Sequence, residues 1–181
     1  MTKNLVIFFF RCLIFVAYQG YKIEGINALL LVMPAKLIVP TLRKYGAVIG
    51  ENVIIHSPLI IHNAGENYSN LNLGNHVYFG RAVFLDLKDK IIIHDRVTIS
   101  MRATLLTHTD VGESGLKKSL PLSQAPLTVK NDAYLGANVT ILQGAHIGAA
   151  AVVGAGSVVL HSVPDQTVVA GNPAHVIKKN S

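Results

Sequence analysis

From Val129 onward the chain repeats one six-residue phrase: VKNDAY, LGANVT, ILQGAH, IGAAAV, VGAGSV, VLHSVP. Val129, Leu135, Ile141, Ile147, Val153 and Val159 open the hexads, and each fifth position is small or β-branched (Ala133, Val139, Ala145, Ala151, Ser157, Val163). Gly136, Gly148 and Gly154 stand directly after the opening aliphatic, where glycine permits backbone conformations closed to other residues. A fixed period this short means a solenoid, and hexads mean a parallel β-helix, because no hexad can bury its apolar face without a stacked neighbour. The same frame reaches back to Leu105, Ile99 and Ile93 across a gap. A second frame, offset by two residues, carries Ile49, Ile55, Ile61, Leu73, Phe79 and Leu85. The slip falls at residues 87–92, expected as a bulge or corner loop, and the polar stretch 63–70 (NAGENYSN) reads as another loop.

Residues 1–45 lack the hexad and form a distinct segment ahead of a repeat domain at 46–181. They carry two apolar runs, residues 5–18 and 26–39, with Pro34 and Pro40 limiting the second to short helical pieces. Six basic residues (Lys3, Arg11, Lys22, Lys36, Arg43, Lys44) against Glu24 place +5 of the formal +6 charge here. The repeat is therefore nearly neutral, which argues against nucleic acid as a partner and towards an anionic membrane surface. Neither run alone reaches the roughly 18 apolar residues of a spanning helix. Arg11 also interrupts the h-region a signal peptide would need, and no small-x-small cleavage site follows. Helices lying in the membrane interface are the leading expectation; helices packed on the β-helix or a neighbouring subunit, and true insertion or a signal, remain alternatives. Cys12, the single cysteine, excludes an intramolecular disulfide.

With these motifs in place, the chain resembles the left-handed parallel β-helix acyltransferases, the hexapeptide-repeat family. The resemblance rests on AYLGANVTIL, IGAAAVVGAGSVV and VAGNPAHVIKK, and it extends back through GAVIGENVIIH to ATLLTHTD. It implies an all-β, left-handed coil with an N-terminal helical apolar-basic segment, assembled as a homotrimer. It also implies acetyl-CoA as acyl donor and clefts between subunits where the donor meets a carbohydrate acceptor. The subgroup most similar to it acetylates maltose, galactosides and surface polysaccharides.

Acyl transfer to a hydroxyl needs a base for the departing proton and donors for the oxyanion. His108 closes the last hexad before regularity lapses at residues 109–127, and the frame resumes in phase at Val129, so an arm is looped out of a rigid scaffold beside it. From position alone His108 is either the base or a surface histidine capping a turn; the resemblance of LLTHTD to the family's catalytic site favours the base. The resemblance also implies backbone contacts to CoA at Gly136, Ala137, Gly154 and Ala155. His161 stands where relatives usually carry a lysine near the CoA phosphates, and His175 where they often carry a basic residue. Lys178 and Lys179 suit those phosphates or a solvated basic tail. Asp86 matches an acidic position near the acceptor site. Relatives have an asparagine within the stretch matching residues 79–82, where this chain has FGRA; Arg81 there either meets an acidic or phosphorylated acceptor or is a plain surface arginine. His56, His62, His76, His94 and His146 read as structural or solvated, and no metal is motivated. No GxSxG elbow is present and Cys12 lies far from His108, so direct transfer is expected over a covalent intermediate.

The expectation is thus an acetyl-CoA-dependent O-acetyltransferase acting on a sugar of surface polysaccharide or its precursor. It would be cytoplasmic and peripheral on the inner face of the cell membrane. Acetylation of another small acceptor (serine, an amino sugar, a xenobiotic) and a non-catalytic β-solenoid scaffold are the alternatives.

Overall fold

Every opening aliphatic of both frames, from Ile49 to Val159, is buried within a short strand. The structure, a computed structural model, describes residues 3–179. Residues 1–2 and 180–181, the outer ends of the two expected segments, lie outside the described residues. The strands form three parallel faces that the chain visits in turn, five times over. Face 1 holds Val48–Ile49, Leu71–Leu73, Ile91–Ile93, Leu127–Val129 and His146–Ile147. Face 2 holds Ile54–Ile55, Tyr78–Phe79, Thr98–Ile99, Tyr134–Leu135, Val152–Val153 and Thr167–Ala170. Face 3 holds Leu59–His62, Val83–Asp86, Thr104–Leu105, Thr140–Ile141 and Val158–Val159. Openers stack on openers, so that Leu73, Ile93, Val129 and Ile147 stand in one register column despite uneven sequence gaps. Strands two residues long hold because each buried aliphatic contributes about 1.5–3 kcal/mol to a core shared by all coils.

The corners assign glycine a different part from the one the sequence suggests. The left-handed residue falls at the fourth hexad position: Asn52, His76, Ala82, Arg96, Arg102, Asp132, Asn138, Ala150 and Gly156 all have positive φ. The glycines after the openers are needed for close approach instead. A β-carbon at Gly136 would sit 2.6 Å from the Ala155 amide nitrogen of the next coil, and one at Gly80 would sit 2.6 Å from that of Met101.

All three departures from the hexad lie on one edge, where face 3 turns into face 1. These are the loop at 63–70, the two-residue slip at 87–90 and the long arm after Leu105. The arm leaves as an antiparallel hairpin in which His108–Thr109 pairs with Ser123–Gln124, and it carries a 3-10 turn at Gly115–Lys118. His108 therefore begins the hairpin rather than closing a regular hexad.

Two helices cover the first coil. Helix α1 spans Lys3–Leu30 and α2 spans Ala35–Lys44. The first apolar run does not end at residue 18; the helix continues through the start of the second run, and Pro34 caps α2. By length and composition Asn4–Leu30 is apolar enough to cross a membrane. It is not one straight rod, however. Lys22 has φ 51 and ψ −135, and a β-carbon at Gly25 would run into the Ala17 carbonyl. In a straight helix those two residues stand about 12 Å apart along the axis. The bend lets Ile23, Ile26 and Leu30 join the core with Leu37, Ile38 and Leu42 of α2, while Leu5, Phe8, Phe9, Phe15 and Val16 stay exposed. At the other end the strand His175–Lys179 turns back antiparallel on Thr167–Ala170 and closes the stack.

Candidate active site

The edge between faces 3 and 1 gathers the titratable side chains. Asp86 ends its face 3 strand, is 1% exposed, and lies 2.6 Å through Oδ2 from Nδ1 of His108. Its oxygens also accept from Asn63 Nδ2 at 2.8 Å, from the Thr107 amide at 2.9 Å, from Thr107 Oγ1 at 3.1 Å and from the His108 amide at 3.1 Å. Burial alone raises the Asp86 carboxyl, but hydrogen bonds from His108, Asn63 and Thr107 outweigh it and hold the group below its ordinary value. An ionised Asp86 accepts a proton-bearing Nδ1. That fixes the tautomer and leaves the Nε2 lone pair of a 23% exposed ring pointing outward with no hydrogen-bond partner among the described residues. A base held in this way can take a proton from a hydroxyl.

Asp86, matched by resemblance to an acidic position near the acceptor site, is buried beneath His108, and this geometry suits it to position the histidine ring. Asn63, which the sequence reading placed in an anonymous loop, is part of the same network. Its signal was its place: one coil before Asp86 and two residues past the opener Ile61.

Gly136, Ala137, Gly154 and Ala155 occupy a different edge, between faces 2 and 3. On the edge between faces 1 and 2 side chains cap the corner amides: Asn75 takes Glu51, Asp95 takes Asn75, Asn131 takes Asp95, and Asp165 takes Ala149. The matching amides of Arg81, Met101, Ala137 and Ala155 on the edge between faces 2 and 3 meet no acceptor among the described residues. Small side chains at Ala137 and Ala155 leave this column of N–H groups open to a ligand rich in carbonyl groups.

Arg81 belongs to this second edge, lining a shallow pocket with His56, Tyr78, Ser100 and Met101, so the structure separates it from His108. His161 and His175 are brought together on a cleft between the last coil and the returning strand, with Pro164, Val169 and Pro173. Lys178 lies on that exposed strand opposite Val168. Along the His108 edge, one coil on, Gln143 donates to Ser123 Oγ at 2.7 Å and buries an Oε1 that meets no donor among the described residues, a polar group the sequence reading passed over.

No sequence model of a known family matches the chain. Over 138 residues, 76% of the chain, it is 30% identical to the galactoside O-acetyltransferase of Lactococcus lactis and 28% identical to that of Escherichia coli K12. The chain spans just under two thirds of these relatives, 65% and 66% of their lengths. Its fold matches a hexapeptide-repeat-containing acetyltransferase of Vibrio cholerae solved with acetyl-CoA, at 25% identity and a TM-score of 0.73. That match covers 86% of this chain and 83% of the other. In its hexads and its three-faced solenoid the chain is similar to these hexapeptide-repeat acetyltransferases and shares their fold.

Proposed function

We propose that the protein is an acetyl-CoA-dependent O-acetyltransferase whose acceptor is a sugar hydroxyl of surface polysaccharide or its precursor. The observation that carries this reading is the buried Asp86 carboxylate holding His108 with Nε2 open. As the acceptor oxygen attacks the thioester carbonyl, Nε2 takes the hydroxyl proton. The resulting imidazolium is stabilised by Asp86, and the tetrahedral oxyanion by backbone N–H groups. Collapse breaks the C–S bond, and the proton passes from Nε2 to the leaving thiolate.

Two separated edges support a homotrimer. His108 and the open amides of Ala137 and Ala155 cannot serve one ligand within a single prism, whereas the first edge of one copy facing the second edge of another joins base and donor groove. The arm fits this arrangement, since Leu116, Leu120 and Leu122 all stand exposed on it. CoA would run along the open amides, with His161, His175 and Lys178 near its polar end and Gln143 Oε1 available to an amide N–H.

The distal part of α1, residues 4–21, is about 27 Å long and carries Arg11 near its middle. A charge there costs roughly 2.5–3.5 kcal/mol at the centre of a bilayer. Phe8, Phe9 and Phe15 are exposed on this helix, and Arg11 and Lys22 on it and Lys36 and Lys44 on α2 add positive charge, which supports a peripheral position on an anionic membrane at the cytoplasmic face.

Thiol release from acetyl-CoA with a panel of glycan acceptors tests the reaction. His108→Ala should lower turnover by about 10²–10⁴-fold while acetyl-CoA still binds. Equal release by the variant would remove His108 as base, and no release by either protein would sink the transferase reading.

A further inference from the structure

A cavity of about 620 Å³ lies where the helices meet the first-coil loop. Tyr18, Lys22, Lys44, Tyr45, Glu66 and Asn67 shape it, with Ser69 at the rim. Tyr18 and Tyr45 stack at 4.6 Å between ring centroids. Each carries an ammonium over its ring, Lys22 at 5.4 Å from Tyr18 and Lys44 at 5.3 Å from Tyr45. Neither lysine pairs with a carboxylate among the described residues.

The site is built rather than incidental. Tyr68, fully buried below it, donates its hydroxyl to Asn27 at 2.8 Å and its amide to the Tyr45 carbonyl at 2.8 Å, fixing loop to helices. Lys22 is the residue at the bend of α1, with φ 51 and ψ −135. A non-glycine residue held there is strained, and such strain recurs at binding sites. That backbone turn is what brings Lys22 to the rim.

The lining is rich in donors. Lys22, Lys44, Asn67 and Ser69 line it together with one carboxylate, Glu66, while the tyrosine pair, its planes tilted by 35°, adds apolar ring surface. Such a set fits an oxygen-rich anion joined to a ring with an apolar face. The loop at 63–70 lies on the same edge as His108, two coils away, and coils rise by about 4.8 Å each, so the cavity stands roughly 10 Å along the axis from the base.

We propose that this cavity is a second acceptor subsite that binds a glycosyl phosphate, the lysines holding the phosphate and the tyrosine pair the sugar ring. This rests on the sugar-acceptor reading and narrows it: the hydroxyl acetylated at His108 belongs to a glycan whose phosphate lies roughly two sugar units away.

The test is calorimetric titration of the full chain with α-D-glucose 1-phosphate, methyl α-D-glucoside and inorganic phosphate. Glucose 1-phosphate should bind at least about tenfold more tightly than the glucoside. The double variant K22Q/K44Q should weaken it about tenfold or more, while the charge-matched K117Q/K130Q should not. Tyr18→Leu should erase the advantage of glucose 1-phosphate over inorganic phosphate. Undiminished binding to K22Q/K44Q, equal binding of the uncharged glucoside, or displacement of glucose 1-phosphate by acetyl-CoA would each overturn the proposal. Loss of anionic-vesicle binding in K22Q/K44Q with sugar phosphate binding intact would also overturn it, assigning the lysines to the membrane. None of these titrations needs turnover, so a failed transferase assay leaves them readable, and their failure leaves the transferase standing.

Discussion

Asp86 and His108 are 22 residues apart in sequence and 2.6 Å apart in space, joined because the second coil stacks beneath the third at the one edge where the repeat is broken. Asp86 accepts from two backbone amides as well as from the ring, so its carboxylate fixes both where His108 leaves the coil and which ring nitrogen bears the proton.

Asp86→Asn removes the acceptor for Nδ1 while keeping the side chain's shape. The ring is then free to place its proton on Nε2, where it cannot act as a base. Turnover should fall by about 10²–10⁴-fold with the affinity for acetyl-CoA little changed. A variant that loses donor binding in parallel with turnover would show Asp86 to be a scaffold residue only.

The same contacts set an acid limit on stability. The Asp86 carboxyl titrates lower in the folded chain than its ordinary 3.8, so between those values the unfolded chain binds the proton and the folded one does not. Stability rises with pH through that window, is complete above about pH 5, and is lost as pH falls through the folded value. Thermal unfolding followed from pH 6 to pH 2.5 should show a steeper acid decline for the wild type than for Asp86→Asn. Parallel curves would exclude the linkage.

The period-six pattern made the three faces legible because each opener maps onto one buried strand position, whatever loops intervene. The active edge was half legible. His108 stood out by its place before the arm, but nothing in the sequence alone joined Asp86 to it, because that partnership is set by coil stacking. Carrying the two-residue slip at 87–92 into the eighteen-residue turn sets Asp86 level with Leu106, just ahead of Thr107 and His108. The bend in α1 had no such signal. Lys22 is an ordinary helix former, and only the close packing of Gly25 on Ala17 reveals why the chain turns there.

Gly136→Ala separates close approach from backbone conformation. Alanine tolerates the φ at this corner, yet its methyl group would press on the Ala155 amide nitrogen, 2.6 Å away. Destabilisation of about 1–3 kcal/mol is expected by chemical denaturation, as for overpacked cores. Unchanged stability would mean that the coils can part at this edge.

The arm's leucines bear on assembly. Replacing Leu116, Leu120 and Leu122 together by serine changes only exposed side chains of the isolated chain, so the fold and its melting as a monomer should hold. If a neighbouring copy covers them, each loses about 1.5–3 kcal/mol of burial, and light scattering should report a shift from trimer towards monomer at micromolar concentration. A trimer that persists would put the interface elsewhere.

Phe8, Phe9 and Phe15 are 65%, 55% and 58% exposed on the distal part of α1, a density of bare aromatic surface that water does not favour. Their replacement by serine leaves Arg11, Lys22, Lys36 and Lys44 in place, so electrostatic attraction persists while insertion of apolar surface is lost. Sedimentation with vesicles of mixed neutral and anionic lipid should drop by at least about tenfold in affinity, and the residual binding should vanish in high salt as the lysines are screened. Vesicle binding that survives both changes would place the membrane contact elsewhere on the protein, and no binding by the unaltered chain would mean that the helix serves a protein partner instead.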